Sequence, residues 1–211
     1  LFSLAISVLS EQGIHVSRLN GNDRKTCGKL NSPCRTISYG IQQVSAGSYI
    51  YLDGSATSKN PYTCETLDPG HPGIHLSKSV SFVSVRSRAY ISCLHANPWL
   101  VNGTKFKEGV RISFSGLTFL NTSLRFLDAF VAVSDTMFAE TKSVSLAIAV
   151  LNLPRLDLSL KNVVFQQNAG CMTIRNKRKN TKIFLNITNT VFNQNGNLYT
   201  SNTPSILWLD S

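Results

Sequence analysis

Charge is the scarcest thing in this chain of 211 residues. Charged side chains make up 15% of it, against roughly 25% in an ordinary soluble domain. Acids are scarcer than bases, with 11 Asp+Glu against 21 Lys+Arg, so the net charge is +10. A surface this poor in acids has few carboxylates to pair for general acid–base cleavage. No D-D or D-x-D cluster gathers Asp128, Asp135, Glu140 or Asp157. Zinc-type Cys and His spacings are missing. His71 and His75 flank Pro72-Gly73, which denies them a shared helical face. The glycine motifs that cradle phosphate and the nucleophile-elbow motif are absent too. No metal and no cofactor are therefore expected. Long helical periods are rare, and no segment after the first ten residues is apolar enough to span a bilayer.

Hydrophobic residues reach 42%, enough for a continuous core. Val, Ile, Phe and Thr recur in short alternating runs, while Ser, Thr and Asn fill the rest, which describes a β-protein. Residues 1–20 read as leader, with LFSLAISVL as the end of a secretory signal peptide and a first β-strand as the alternative. Among the five cysteines, TCGKLNSPC closes a tight loop between Cys27 and Cys34, helped by Gly28 and Pro33. Cys64 and Cys93 each border a strand region and are paired. Cys171 is left as a buried lone thiol. Three sequons stand at Asn102, Asn121 and Asn186. Together with the paired cysteines they point to a secretory, extracellular or cell-surface location.

Two phrases nearly coincide: KNVVFQQNAG from Lys161 and TNTVFNQNGN from Thr188. Aligned on phenylalanine, four blocks end at Phe119, Phe138, Phe165 and Phe192. Five residues earlier stand Phe114, Val133, Leu160 and Ile187. Three residues earlier stand Gly116, Asp135, Asn162 and Asn189, which suit a bend. Asn168 and Asn195 follow the last two phenylalanines. Spacings of 19, 27 and 27 are those of a solenoid, whereas sandwich strands recur every 8–12 residues or so through tight hairpins. Stacked coils would align the phenylalanines as a core ladder and Asn162 with Asn189 as a polar one. At the front, Thr36 is placed to cap a short helix that Ala46-Gly47 would stop. Tyr49–Leu52, Gly73–Val85 and Arg88–Cys93 read as strands. The expected fold is all-β: a right-handed parallel β-helix with a short N-terminal capping helix. It spans residues 21–211, with the cap over 21–54 and coils over 55–211, and is expected to continue beyond the chain.

The order CGKLNSPCRTI, short helix, AGSYIYLDG, IHLSKSVSFVS and AYISC resembles the front of right-handed parallel β-helices of the pectin-lyase-like superfamily. FQQNAGCMTI and FNQNGN resemble the F-x-x-N repeats of polymorphic outer-membrane-type β-helix proteins. This resemblance implies two enzyme classes as alternatives: polysaccharide lyases, with clustered acidic calcium ligands and an Arg or Lys base, and hydrolases with several aspartates. Asp135, at a bend position, is expected to turn the chain instead. The most distinctive surface feature is RNKRKNTK, in which Arg175, Lys177, Arg178, Lys179 and Lys182 form a candidate anion-binding loop. Aromatic residues do not interleave with it, so nucleic acid is not an expected partner. Acidic glycans or other extracellular proteins are. The expected function is a non-enzymatic structural, adhesion or binding module.

Overall fold

The computed structural model describes residues 13–64, 73–93, 99–178, 180–195 and 207–210. The apolar LFSLAISVL stretch, His71 and Lys179 lie outside the described residues. The chain opens with β1 (Gly13–Val16), a disulfide loop and α1 (Ile37–Gln43). Six coils of three strands follow: β2 (Tyr49–Asp53), β3 (Tyr62–Thr63), β4 (His75–Leu76); β5 (Val80–Val85), β6 (Ala89–Ser92), β7 (Trp99–Asn102); and β8 (Val110–Ser115), β9 (Leu117–Leu120), β10 (Leu124–Leu127). The second half holds β11 (Ala129–Ser134), β12 (Met137–Ala139), β13 (Val144–Val150); β14 (Arg155–Lys161), β15 (Val164–Gln166), β16 (Gly170–Asn176); and β17 (Lys182–Thr188), β18 (Val191–Asn193), β19 (Leu207–Asp210).

Each coil gives one strand to each of three parallel sheets. The first face is β1-β2-β5-β8-β11-β14-β17, the second β3-β6-β9-β12-β15-β18, and the third β4-β7-β10-β13-β16-β19. This is the expected parallel β-helix. The core lies inside the stack, because alternate residues of each strand point inward.

Registry turns sequence repeats into columns. Phe119, Phe138, Phe165 and Phe192 stack with centroids 5.2, 5.0 and 5.1 Å apart and nearly parallel rings. Ile91 and Tyr62 extend this column toward the front. A second column runs Ile14, Ile50, Phe82, Phe114, Val133, Leu160 and Ile187. Burial of the fully covered members, such as Phe82, Phe114, Phe138 and Phe165, contributes about 1.5–3 kcal/mol each, whereas Ile187 at the end of its column is 39% exposed.

Polar residues turn the corners. Between the first and second faces, Gly116, Asp135, Asn162 and Asn189 all have positive φ, between 48° and 72°. Gly and Asn adopt that backbone at little cost, and the side-chain amides then link coils. Asn162 donates to Asp135 Oδ1 at 2.9 Å, and Asn189 to Asn162 Oδ1 at 3.2 Å. Asp135 is thus a bend residue. Between the second and third faces, Asn121, Glu140, Gln167 and Gln194 take positive φ. The next residues, Thr122, Thr141, Asn168 and Asn195, turn inward. Asn168 is fully buried. Its Oδ1 accepts from Thr141 N, and its Nδ2 donates to Phe138 O and Asn195 Oδ1, all within 3.1 Å. Thr122 and Thr141 thus occupy the corner where the earlier coils lack asparagine. Cys93 reaches the same corner, its N–H donating to Thr122 Oγ1.

The front is tied down as expected, with two corrections. The helix ends at Gln43 with Val44 as C-cap, earlier than Ala46-Gly47. Val44 turns extended there and buries its side chain, and Gly47, with φ 81°, then leads into β2. The solenoid also begins before residue 21. Gly13–Val16, expected as leader, pairs in parallel with Tyr49–Leu52. Its Ile14 continues a core column, and the Tyr51 ring lies where a Cβ on Gly13 would come within 2.5 Å. Tyr62 fastens this strand by donating to Val16 O at 2.9 Å. Thr36 caps the helix by accepting from Tyr39 N. Asp23 in turn accepts from Arg35 N, Thr36 N and Thr36 Oγ1 at 2.8–3.1 Å. Disulfides join Cys27 to Cys34 and Cys64 to Cys93, each with Cα atoms 4.9 Å apart. Cys171 is a buried free thiol.

Candidate functional site

Inward positions are taken up by the core, so chemistry must come from outward residues and corners. The RNKRKNTK stretch wraps the corner between the third and first faces instead of forming one compact loop. Arg175 sits exposed on β16 of the third face. Lys177 and Arg178 are exposed in the corner itself. Lys182 opens β17 on the first face, in register with Arg155.

The corner is well fixed. Lys177 N donates to Val150 O at 2.9 Å, and Lys182 N to Pro154 O at 3.0 Å. Thr181 Oγ1 donates to Leu153 O at 3.0 Å. The Arg178 guanidinium donates to Asn152 O, and its N–H to Asn176 Oδ1. Beneath them lies Asp128, a buried carboxylate at positive φ. It accepts from Leu151 N, Asn152 N, Leu153 N and Asn152 Nδ2 at 2.7–3.4 Å. One buried acid therefore shapes the preceding coil's loop, against which the basic corner rests. Arg155 extends the basic surface, clamped between Asp157 at 2.7 Å and the Phe184 ring at 4.3 Å.

Five of the acids that a hydrolase or lyase would need have structural partners, while Glu140 is exposed at its positive-φ corner. Asp23 caps the helix region, Asp128 holds the corner, Asp135 joins the bend ladder and Asp157 pairs with Arg155. Asp53 accepts from Ser17 Oγ and Ser55 N. Asp23, Cys27 and Cys34 lie together as potential metal ligands. Both thiols are in the disulfide, however, and Asp23 is already an acceptor three times over. His15 packs its ring 5.0 Å from that of Tyr51. His75 is exposed on β4, and the structure brings no second histidine to it among the described residues.

The sequons occupy three settings. Asn186 is exposed on the outer side of β17. Asn102 is half-buried and accepts from Thr104 N at 3.1 Å and Thr104 Oγ1 at 2.6 Å. Asn121 is half-buried in a positive-φ corner.

Arg125 was missed by sequence reasoning. It lies 50 residues before Arg175 in the chain, and outward positions do not repeat. Registry nonetheless puts it on the third face, in line with Ala147 and Thr173, while Arg175 lines up with Ala149 and Leu127. These residues border one groove of about 580 Å³. Compared with family models, curated proteins and solved structures, the chain matches none.

Proposed function

We propose that this chain is an extracellular or cell-surface β-helix module that binds acidic glycans or other extracellular proteins without cleaving them. One observation carries the reading: bases gather on exposed outer positions while Asp23, Asp53, Asp128, Asp135 and Asp157 are engaged in hydrogen bonds or an ion pair. Fixed cations on a rigid corner attract polyanions at low entropic cost. The two disulfides support an oxidising compartment, since such bonds persist on the secretory route. The exposed Asn186 supports glycosylation there. No described helix is long and apolar enough to cross a membrane. The Phe and Asn columns support descent from β-helices with F-x-x-N repeats, of the pectin-lyase-like kind.

Retention on immobilised heparin tests the reading. Neutralising Lys177, Arg178 and Lys182 to glutamine lowers the salt needed for elution. Elution at unchanged salt would exclude the basic corner as a glycan site. An interaction between charges in water is worth about 1 kcal/mol at 4 Å, so the three changes together are readily measured.

A further inference from the structure

We infer that a pocket at the front of the first face binds a small zwitterion of the α-amino acid class, with its ammonium at Asp53 and its carboxylate at Arg86. This site is separate from the basic corner and does not depend on the glycan reading.

Registry builds the floor. Two neighbouring columns make it, His15–Tyr51–Val83 and Ser17–Asp53–Val85. The first face is longer here than in later coils. Val83 pairs with Ser115, after which Gly116 turns the chain, whereas β5 runs on to Val85 and turns only at Arg86. The disulfide loop supplies a wall. Ser17 N donates to Cys34 O at 2.8 Å, Gly28 N to Ser32 O at 2.9 Å and Ser32 N to Lys29 O at 3.1 Å. Leu30 and Asn31 at the tip of this hairpin, together with Pro33, border a pocket of about 220 Å³ against the floor.

Two opposite charges line it without pairing. Asp53 is in register with Val85, so Arg86 follows one residue on. No ion pair joins the two. Asp53 Oδ2 accepts from Ser17 Oγ at 3.1 Å, and Oδ1 from Ser55 N at 3.0 Å. A carboxylate offers about four acceptor positions, so each oxygen keeps room for a ligand. Arg86 is exposed and makes no hydrogen bond or ion pair among the described residues. Its φ is 75°, a backbone that strains a bulky residue and that glycine adopts freely. Later turns of this corner use Gly116, Asp135, Asn162 and Asn189. A guanidinium therefore stands where a smaller residue would turn the chain with less strain, and strain of this kind gathers at binding sites.

The separated charges select the ligand. A lone anion is repelled by Asp53, and a lone cation by Arg86. A zwitterion satisfies both groups at once, its carboxylate meeting the guanidinium in the planar, bidentate manner. The volume lies below the roughly 300 Å³ at which drug-sized sites begin, which suits one amino acid. Leu30, Pro33 and Val85 give the site an apolar side for an aliphatic side chain.

Saturation-transfer NMR on the whole chain at neutral pH tests the site with L-leucine, 3-methylbutylamine and 4-methylpentanoate. Leucine is expected to receive saturation. The two analogues, each lacking one charge, are expected to bind about tenfold more weakly, the loss of one charge-assisted contact. Arg86→Gly is expected to keep or raise the melting temperature, because glycine accepts the turn, while leucine binding weakens about tenfold. Should Arg86→Gly not fold, Arg86→Gln is read in its place. No transfer to leucine would overturn the site. Equal binding of either analogue would overturn the zwitterion. Unchanged leucine affinity in the Arg86 variant, even with a lowered melting temperature, would reduce Arg86 to a turn residue and overturn the proposal.

Discussion

Asn168 and Asn189 look alike in sequence and differ in consequence. Asn168 is buried and satisfies Thr141 N and Phe138 O. Its truncation leaves both without a partner away from water. Asn168→Ala is expected to cost about 2–4 kcal/mol, by the usual penalty per orphaned buried group. Asn189 is exposed and serves by tolerating φ 48°. Glycine tolerates it too, so Asn189→Gly stays within about 0.5 kcal/mol of wild type. Urea midpoints check the pair, and equal costs would mean that the inner ladder carries no special weight. Cys171 is a third case. Burial pushes its thiol from 9.0 up to about 12. A raised pKa favours the protonated thiol, so its contribution is fully present below pH 9.0 and is lost as pH rises toward about 12. Cysteine alkylation of the folded protein at pH 8 is therefore expected to spare Cys171, and a thiol labelled as fast as in the unfolded chain would contradict its burial.

At the scale of elements, the front of the stack is where coils meet solvent. There α1 covers the open core with Ile37 and Ile41, and Asp23 fixes the turn that starts it. Asp23→Ala frees Arg35 N, Thr36 N and the Thr36 hydroxyl. A loss of about 1–2 kcal/mol follows from removing that acceptor. In a solenoid each coil contacts its neighbours, so loosening should stay local. Hydrogen exchange is expected to quicken in α1 and β1 while β11 and β14 keep their protection. Uniform acceleration through β14 would show that the stack opens as one unit.

The elements also show what could be read beforehand. Phe138, Phe165 and Phe192 announced a coil because identical residues recur at one interval where loops are short. Ile91 and Tyr62 fill the same column, but a change of side chain and longer front loops hid them. Thr122 and Thr141 hid the inner corner for a similar reason: a hydroxyl replaces an amide. β1 was obscured by its length of 4 residues, too short to show alternation beside the apolar LFSLAISVL stretch. The basic stretch was legible as exposed, because charge cannot be buried unpaired. Its division between two faces was not, since that depends on where Asp128 turns the corner.

For the whole molecule, two kinds of position emerge. Inward and corner residues repeat, and they absorb Asp23, Asp53, Asp128 and Asp135 into construction. Outward residues do not repeat, and there Arg175 on the third face leads into the corner that holds Lys177 and Arg178, with Lys182 beyond it on the first face. Lys182 and Arg155 carry the basic surface onto the first face. Strand registry and the hydrogen bonds of the corner set the spacing of these charges, which suits recognition of a long polymer more than chemistry at one bond. The most direct measurement is incubation with heparin and with polygalacturonate, reading both protein–polymer complex and polymer chain length. Complex with heparin and unchanged chain lengths of both polymers are the predicted result. Shortened chains, lost in Asp135→Asn or Asp157→Asn, would contradict it and make the protein an enzyme.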